Sequence, residues 1–165
     1  MFTSDEMKAQ FSDVMDRMVA ARWLKNYTFT TGKGFHLGWT ETGSIAALDL
    51  KIMAHDLELL DADARPMIAH ILAQGIGLDG TCDAKVINAA LRPFNEGGFF
   101  VGNVVYFHGV NLEWKWSEKG AQFARRLSEL VGALGIEAGD EDRLLVMFHI
   151  AEGWAPGPDT KVVIS

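Results

Sequence analysis

Cysteine is almost missing from this 165-residue chain: Cys82 stands alone, which excludes an intrachain disulfide and any zinc or iron–sulfur centre assembled from several thiolates. A lone thiol points to a reducing compartment. Proline is scarce too, at four residues, and no low-complexity stretch or linker interrupts the chain. With 48% hydrophobic and 22% charged residues the composition is that of a globular protein rather than a disordered or fibrous one. No apolar run approaches the roughly 20 residues that cross a bilayer, and Met1 to Glu6 shows no basic stretch followed by an apolar one. The expectation is a cytoplasmic protein with no membrane partner.

Positive charge is also in short supply. Fifteen Lys and Arg face 22 Asp and Glu, giving a net charge of −7, and the pI is about 5.1. That balance works against nucleic acid as a partner, because cations that displace counterions from phosphates supply most of such binding. Acidic residues cluster from Asp56 to Asp63 and at Glu137 and Asp140 to Asp142, as solvated loops and helix ends do.

Signatures of chemistry are sparse. Of the five histidines, none falls in a His-x-His or His-x-x-x-His pair. His36, His108 and His149 lie on predicted strands, while His55 and His70 fall on different predicted helices. No metal and no cofactor is expected. Cys82 precedes a predicted helix, whose N-terminus would favour a thiolate, but Asp83 beside it opposes that effect. A small, partly buried residue is the more economical reading. Gly75-Ile76-Gly77-Leu78-Asp79-Gly80 lacks the preceding strand and the following Lys-Ser or Lys-Thr of a phosphate loop, and Asp79 with Asp83 offers too few oxygens for calcium. No catalytic residue is assigned.

What the chain does hold is a clear alternation of elements. Met7, Phe11, Val14, Met15 and Met18 recur at helical spacing within a predicted helix over 4–25. A glycine turn then joins strands within 27–40, and a helix over 41–60 carries Ile45, Leu48, Ile52 and Leu59 among its apolar positions. Helices over 64–74 and 83–92 follow, the second ended by Pro93. Strands over 99–108 and 110–117 precede a helix from Ser117 to about 134. The run Leu144 to Ile150, continuous in apolar character apart from His149, predicts a doubly covered strand, and Lys161 to Ile164 a terminal one.

Two junctions read almost alike. In Phe35-His36-Leu37-Gly38-Trp39-Thr40-Glu41-Thr42-Gly43 and Leu112-Glu113-Trp114-Lys115-Trp116-Ser117-Glu118-Lys119-Gly120, apolar residues alternate before a hydroxyl at a helix N-cap position. They admit two explanations: duplication of an αββα unit, residues 4–60 and 83–134 of one domain spanning 1–165, or independent use of the same cap chemistry. Trp39 and Trp116, which end the two rows, are expected to be buried. The Trp116-Ser117-Glu118-Lys119-Gly120 stretch also resembles the Leu-Thr-Glu-Lys-Gly that closes the wing in winged-helix regulators of the multiple-antibiotic-resistance type. That resemblance implies a recognition helix at Asp83 to Arg92, where only Lys85, Asn88 and Arg92 offer contacts to DNA.

Five tryptophans and ten phenylalanines are rich for one modest core. Trp114, Trp116 and Tyr106 are the candidates for a partner or ligand surface on the second hairpin. The expected class is α+β, with helices packed on antiparallel hairpins. The expected function is a non-catalytic cytoplasmic binding or regulatory protein acting through protein–protein contacts, among which an acidic inhibitor of a basic nucleic-acid site would count. It is expected to be a homodimer joined through its N-terminal helix or an open hairpin edge. The alternatives are a winged-helix transcription regulator, or a small enzyme or apolar-ligand binder with a pocket at the aromatic sheet.

Overall fold

A computed structural model describes residues 4–29, 34–59, 66, 69–70, 84–102, 105–107, 111–137, 140–154 and 159–163, with 4–7, 84–86, 105–107, 111–113 and 159–163 described as backbone alone. The class is α+β. Helix α1 (Ser4–Ala20) leads into strands β1 (Leu24–Phe29) and β2 (Gly34–Trp39), then helix α2 (Glu41–Leu57). Helix α3 (Ala84–Glu96) leads into β3 (Val105–Phe107) and β4 (Asn111–Glu113), then α4 (Glu118–Ala133). Helix α5 (Glu141–Glu152) and strand β5 (Asp159–Val163) close the described chain.

Strand β2 is central in an antiparallel sheet of order β1-β2-β5, and β3 and β4 form a separate antiparallel pair. The alternate residues Phe35, Leu37 and Trp39 of β2 share the face that packs on the core and are all buried, while His36 between them points to solvent. One continuous core joins the two halves, from Phe11, Met15 and Met18 of α1 to Phe94 of α3 and Met147 and Phe148 of α5.

Several expectations need correction. The helix predicted over 4–25 stops at Ala20, because Arg22 turns into the left-handed region and β1 starts at Leu24. Of the strands predicted over 99–108 and 110–117, the described residues form strand only at Val105–Phe107 and Asn111–Glu113. Leu144 to Ile150 lies inside helix α5, not a strand. An apolar run of that length fits a buried helix equally well, and Leu144, Val146, Met147, Phe148, Ile150 and Ala151 are covered on nearly all sides. The acidic Glu141 and Asp142 in its first turn suit a helix start. Helix α3 also runs through Pro93 instead of ending there, since its last turn tolerates the missing N–H and the Pro93 carbonyl still accepts from Gly97 N at 2.8 Å. Trp39 is buried, at 2% exposure, but Trp116 is only half-buried. The predicted helix at 64–74 falls largely outside the described residues; the glycine run at 75–80, Cys82 and His108 fall wholly outside them.

The two junctions share more than sequence. Helix α1 ends on Arg22 in the left-handed region, φ 63°, and α3 on Gly98, φ 76°. Trp23 N reaches back to Met18 O at 2.8 Å, and 76 residues later Phe99 N reaches Phe94 O at 3.0 Å; this is the bond that closes a helix end on a left-handed residue. Leu24 pairs with Trp39, as Phe100 pairs with Trp116. Thr40 N donates to Trp23 O at 2.9 Å and Ser117 N to Phe99 O at 3.0 Å. The same hydroxyls donate to the left-handed residues, Thr40 Oγ1 to Arg22 O at 2.5 Å and Ser117 Oγ to Gly98 O at 2.6 Å. Each then accepts from the glycine three residues on, Gly43 N at 3.0 Å and Gly120 N at 3.1 Å.

Those glycines are forced. A Cβ on Gly43 would lie 1.8 Å from Trp23 O, and one on Gly120 would lie 1.9 Å from Phe99 O. Gly43→Ala and Gly120→Ala are therefore each expected to cost about 3 kcal/mol in urea unfolding, because backbone must give way. Arg22→Gly is expected to gain up to about 1 kcal/mol in the same measurement, by relieving the left-handed conformation that Gly98 meets without a side chain.

Candidate functional site

Helix α2 has two apolar faces. Gly43, Ala46, Ala47, Leu50, Met53, Ala54 and Leu57 face the core, while Ile45, Leu48 and Ile52 stand outward at 54%, 44% and 51% exposure. Their spacing of three and four residues lines them up as one stripe.

Helix α4 occupies the equivalent place after the second junction, and comparing the two helices isolates the anomaly. Seventy-seven residues on from the inward positions Ala47, Leu50, Met53, Ala54 and Leu57 stand Ala124, Leu127, Leu130, Val131 and Leu134, all buried. Seventy-seven residues on from Ile45, Leu48 and Ile52 stand Gln122, Arg125 and Glu129, all exposed and polar. The same outward face is thus solvated in one helix and aliphatic in the other. Ile45, Leu48 and Ile52 thus form a contiguous exposed apolar patch.

The stripe opens at Ile52 into a groove between α2 and α4. Met53, Phe99 and Phe123, all buried, form its floor. Its rim carries Asp49 and Asp56 from α2, and Lys119, Gln122 and Arg126 from α4. Arg126 Nε donates to Asp49 Oδ2 at 2.8 Å. Lys119 Nζ donates to Gly97 O at 2.9 Å and lies 4.6 Å from the centroid of the Phe99 ring. The groove offers an apolar base between charges of both signs.

The second hairpin, where sequence reasoning placed the partner surface, is adjacent to the other aromatic cluster. Trp116 is half-buried against Phe94, Phe100 and Phe123, with ring centroids 6.2, 5.1 and 6.4 Å away. Trp114 is also half-buried and meets Trp116 edge-on at 6.3 Å. Tyr106 sits in β3 opposite Leu112. Both tryptophans therefore back onto the core and keep part of their surface free. Sequence reasoning named Ile45, Leu48 and Ile52 only as apolar positions, and the available signal for a surface was that α2 carries more aliphatics than one inward stripe can hold.

Among the described residues no cluster of three or more His, Cys, Asp or Glu is placed to hold a metal ion. His36 and His55 are exposed, and His149 packs edge-on against Phe11 at 5.6 Å. Arg92 of the supposed recognition helix is spent on an exposed pair with Glu58 at 3.2 Å. At Asp13 burial pulls the carboxyl upward, but hydrogen bonds from Arg143 at 2.7 Å and Arg17 at 3.1 Å outweigh it and hold the group below its ordinary value. No helix among the described residues is long and apolar enough to cross a membrane.

No family model, curated protein or solved structure matches the chain.

His70 is the one buried polar side chain among the described residues, at 2% exposure, and neither ring nitrogen has a hydrogen-bond partner among them. Burial holds its pKa below the ordinary 6.5. The unfolded chain therefore takes up a proton at a higher pH than the folded one, and stability is lost as pH falls from about 6.5 toward the folded value, with no slope above it from this group. The melting temperature is expected to fall as pH drops below about 6.5, and His70→Leu is expected to flatten that slope.

Proposed function

We propose that this chain is a non-catalytic cytoplasmic protein that works through protein–protein contacts, built as one domain on a duplicated αββα unit. The observation that carries the proposal is the aliphatic stripe Ile45, Leu48 and Ile52 on a face that is polar at the matching positions of α4. A solvated helix has no folding use for three outward aliphatics, whereas a contact surface does.

The shape of the site favours an amphipathic helix from a partner. Such a helix, laid along the trough between α2 and α4, would bury its own apolar residues on Ile52, Met53 and Phe123. Its flanking charges would meet Asp49 and Asp56 on one side and Lys119 and Arg126 on the other. The net charge of −7 supports a protein partner over a nucleic acid. The winged-helix alternative has less support, because Arg92, the cation on its recognition helix whose side chain is described, already faces Glu58.

The surface is separable from the fold. The combined substitution Ile45→Ser, Leu48→Ser, Ile52→Ser is expected to change unfolding free energy by less than about 1 kcal/mol, since surface substitutions rarely do more. A photo-reactive residue at position 52 is expected to crosslink a discrete polypeptide in extract of the source cells, while one at exposed Lys25 on β1 does not. Competition by excess unlabelled wild type, but not by the triple variant, completes the test. Equal labelling at both positions, or equal competition by the two proteins, would defeat the proposal.

A further inference from the structure

Strands β2 and β4 hold equivalent places after α1 and α3, yet among the described residues β2 has a strand along its outer edge and β4 has none. There β5 pairs antiparallel with β2 from Gly34 to Gly38. The matching stretch 77 residues on is Asn111 to Lys115, and among the described residues its sheet ends at β4. The inner edge of that stretch is fully committed: β3 pairs with it from Glu113 to Asn111, Val101 N donates to Lys115 O at 2.7 Å, and Ser117 N donates to Phe99 O at 3.0 Å. Neighbouring peptide groups along a strand point to opposite edges, so those of Trp114 face the open side. Its counterpart Leu37 sits opposite Thr160 of β5.

We infer that this open edge pairs with the same edge of a second copy of the chain, antiparallel, across a two-fold axis at Trp114. The chemistry of Leu112-Glu113-Trp114-Lys115-Trp116 is nearly palindromic about its central residue. Centred there, antiparallel pairing sets Glu113 opposite Lys115 of the second copy on both sides of the axis, Leu112 opposite Trp116, and Trp114 opposite itself. Opposite charges facing across strands stabilise a pair and like charges weaken it. The neighbouring register, centred on Glu113, would set that carboxylate against itself, so charge selects the Trp114 register. A second copy is the fitting occupant because one self-complementary edge then closes both vacancies at once. The contact uses a different surface from the α2 stripe and stands independently of it. A short edge predicts a weak dimer, populated at micromolar concentrations.

Sedimentation equilibrium of the full chain into the high micromolar range tests this directly. The wild type is expected to reach a dimer, and Glu113→Lys to weaken it by at least about tenfold, because two attractive pairs become repulsive. Lys115→Glu, at an exposed side chain, is expected to do the same, which guards against a hairpin disturbed by the first variant. The double reversal, Glu113→Lys with Lys115→Glu, restores the opposite-charge pairing and is expected to recover the dimer. Leu48→Glu on α2 is expected to leave it unchanged. A wild type that stays monomeric overturns the inference, as does a dimer indifferent to the single reversals, a failure of the double reversal to rescue, or a dimer broken by Leu48→Glu.

Discussion

A backbone carbonyl pressed against a glycine sets the geometry of this molecule. Trp23 O accepts from Thr40 N and Thr40 Oγ1 and leaves no room for a Cβ on Gly43, so the end of α1 and the start of α2 are held in contact through one oxygen. Phe99 O does the same for α3 and α4 through Ser117 N and Gly120. The helix starts gain an acceptor for their unpaired N–H groups, and the helix ends gain a donor at the residue after the left-handed turn. Small residues then continue the close face on α2, where Ala46, Ala47 and Ala54 are buried. The hairpin hangs between the two ends of this clasp, so its register follows from it.

Once the close face of α2 is given to glycine and alanines, the larger aliphatics on the same helix have to point elsewhere. Leu50, Met53 and Leu57 fill the core, and Ile45, Leu48 and Ile52 are left in solvent. In α4 the same clasp coexists with Gln122, Arg125 and Glu129 on that outer face, so the clasp itself does not require an apolar surface. Between these two helices the stripe belongs to α2, and the proposed contact with a partner is the use it suggests.

The elements that could be read from residues were those with local signals. Thr40 and Ser117 announced helix starts, alternation marked β2, and helical spacing marked α1 as far as Ala20. Leu144 to Ile150 misled because a run covered on all sides has no period to read, and burial comes from α1 and α2 packing around α5. The outward face of α2 was hidden for a related reason: periodicity identifies an apolar position without saying which of two apolar stripes the core will take. The clasp was legible as a repeated motif, but the carbonyl that makes its glycines obligatory lies 20 or 21 residues earlier in the chain.

The proposed duplication of an αββα unit finds support in the contacts between its two halves as well as in the junctions. Arg17 of α1 donates to Leu134 O and Gly135 O, each at 2.9 Å, where α4 ends on a left-handed residue of φ 64°. Arg92 of α3 reaches Glu58, where α2 ends on a left-handed residue of φ 53°. Each first helix therefore grips the far end of the other unit's second helix, which is the reciprocity of a two-fold dimer. Two equivalent positions can touch each other only on the axis that relates them, and Asp49 and Arg126, 77 residues apart, do so through a 2.8 Å ion pair. In a symmetric dimer of identical units that spot would hold two carboxylates or two guanidinium groups in mutual repulsion. On the proposed duplication, joining the units in one chain lets the two sides differ, so that this spot carries a salt bridge and the faces beside it are aliphatic on α2 and polar on α4.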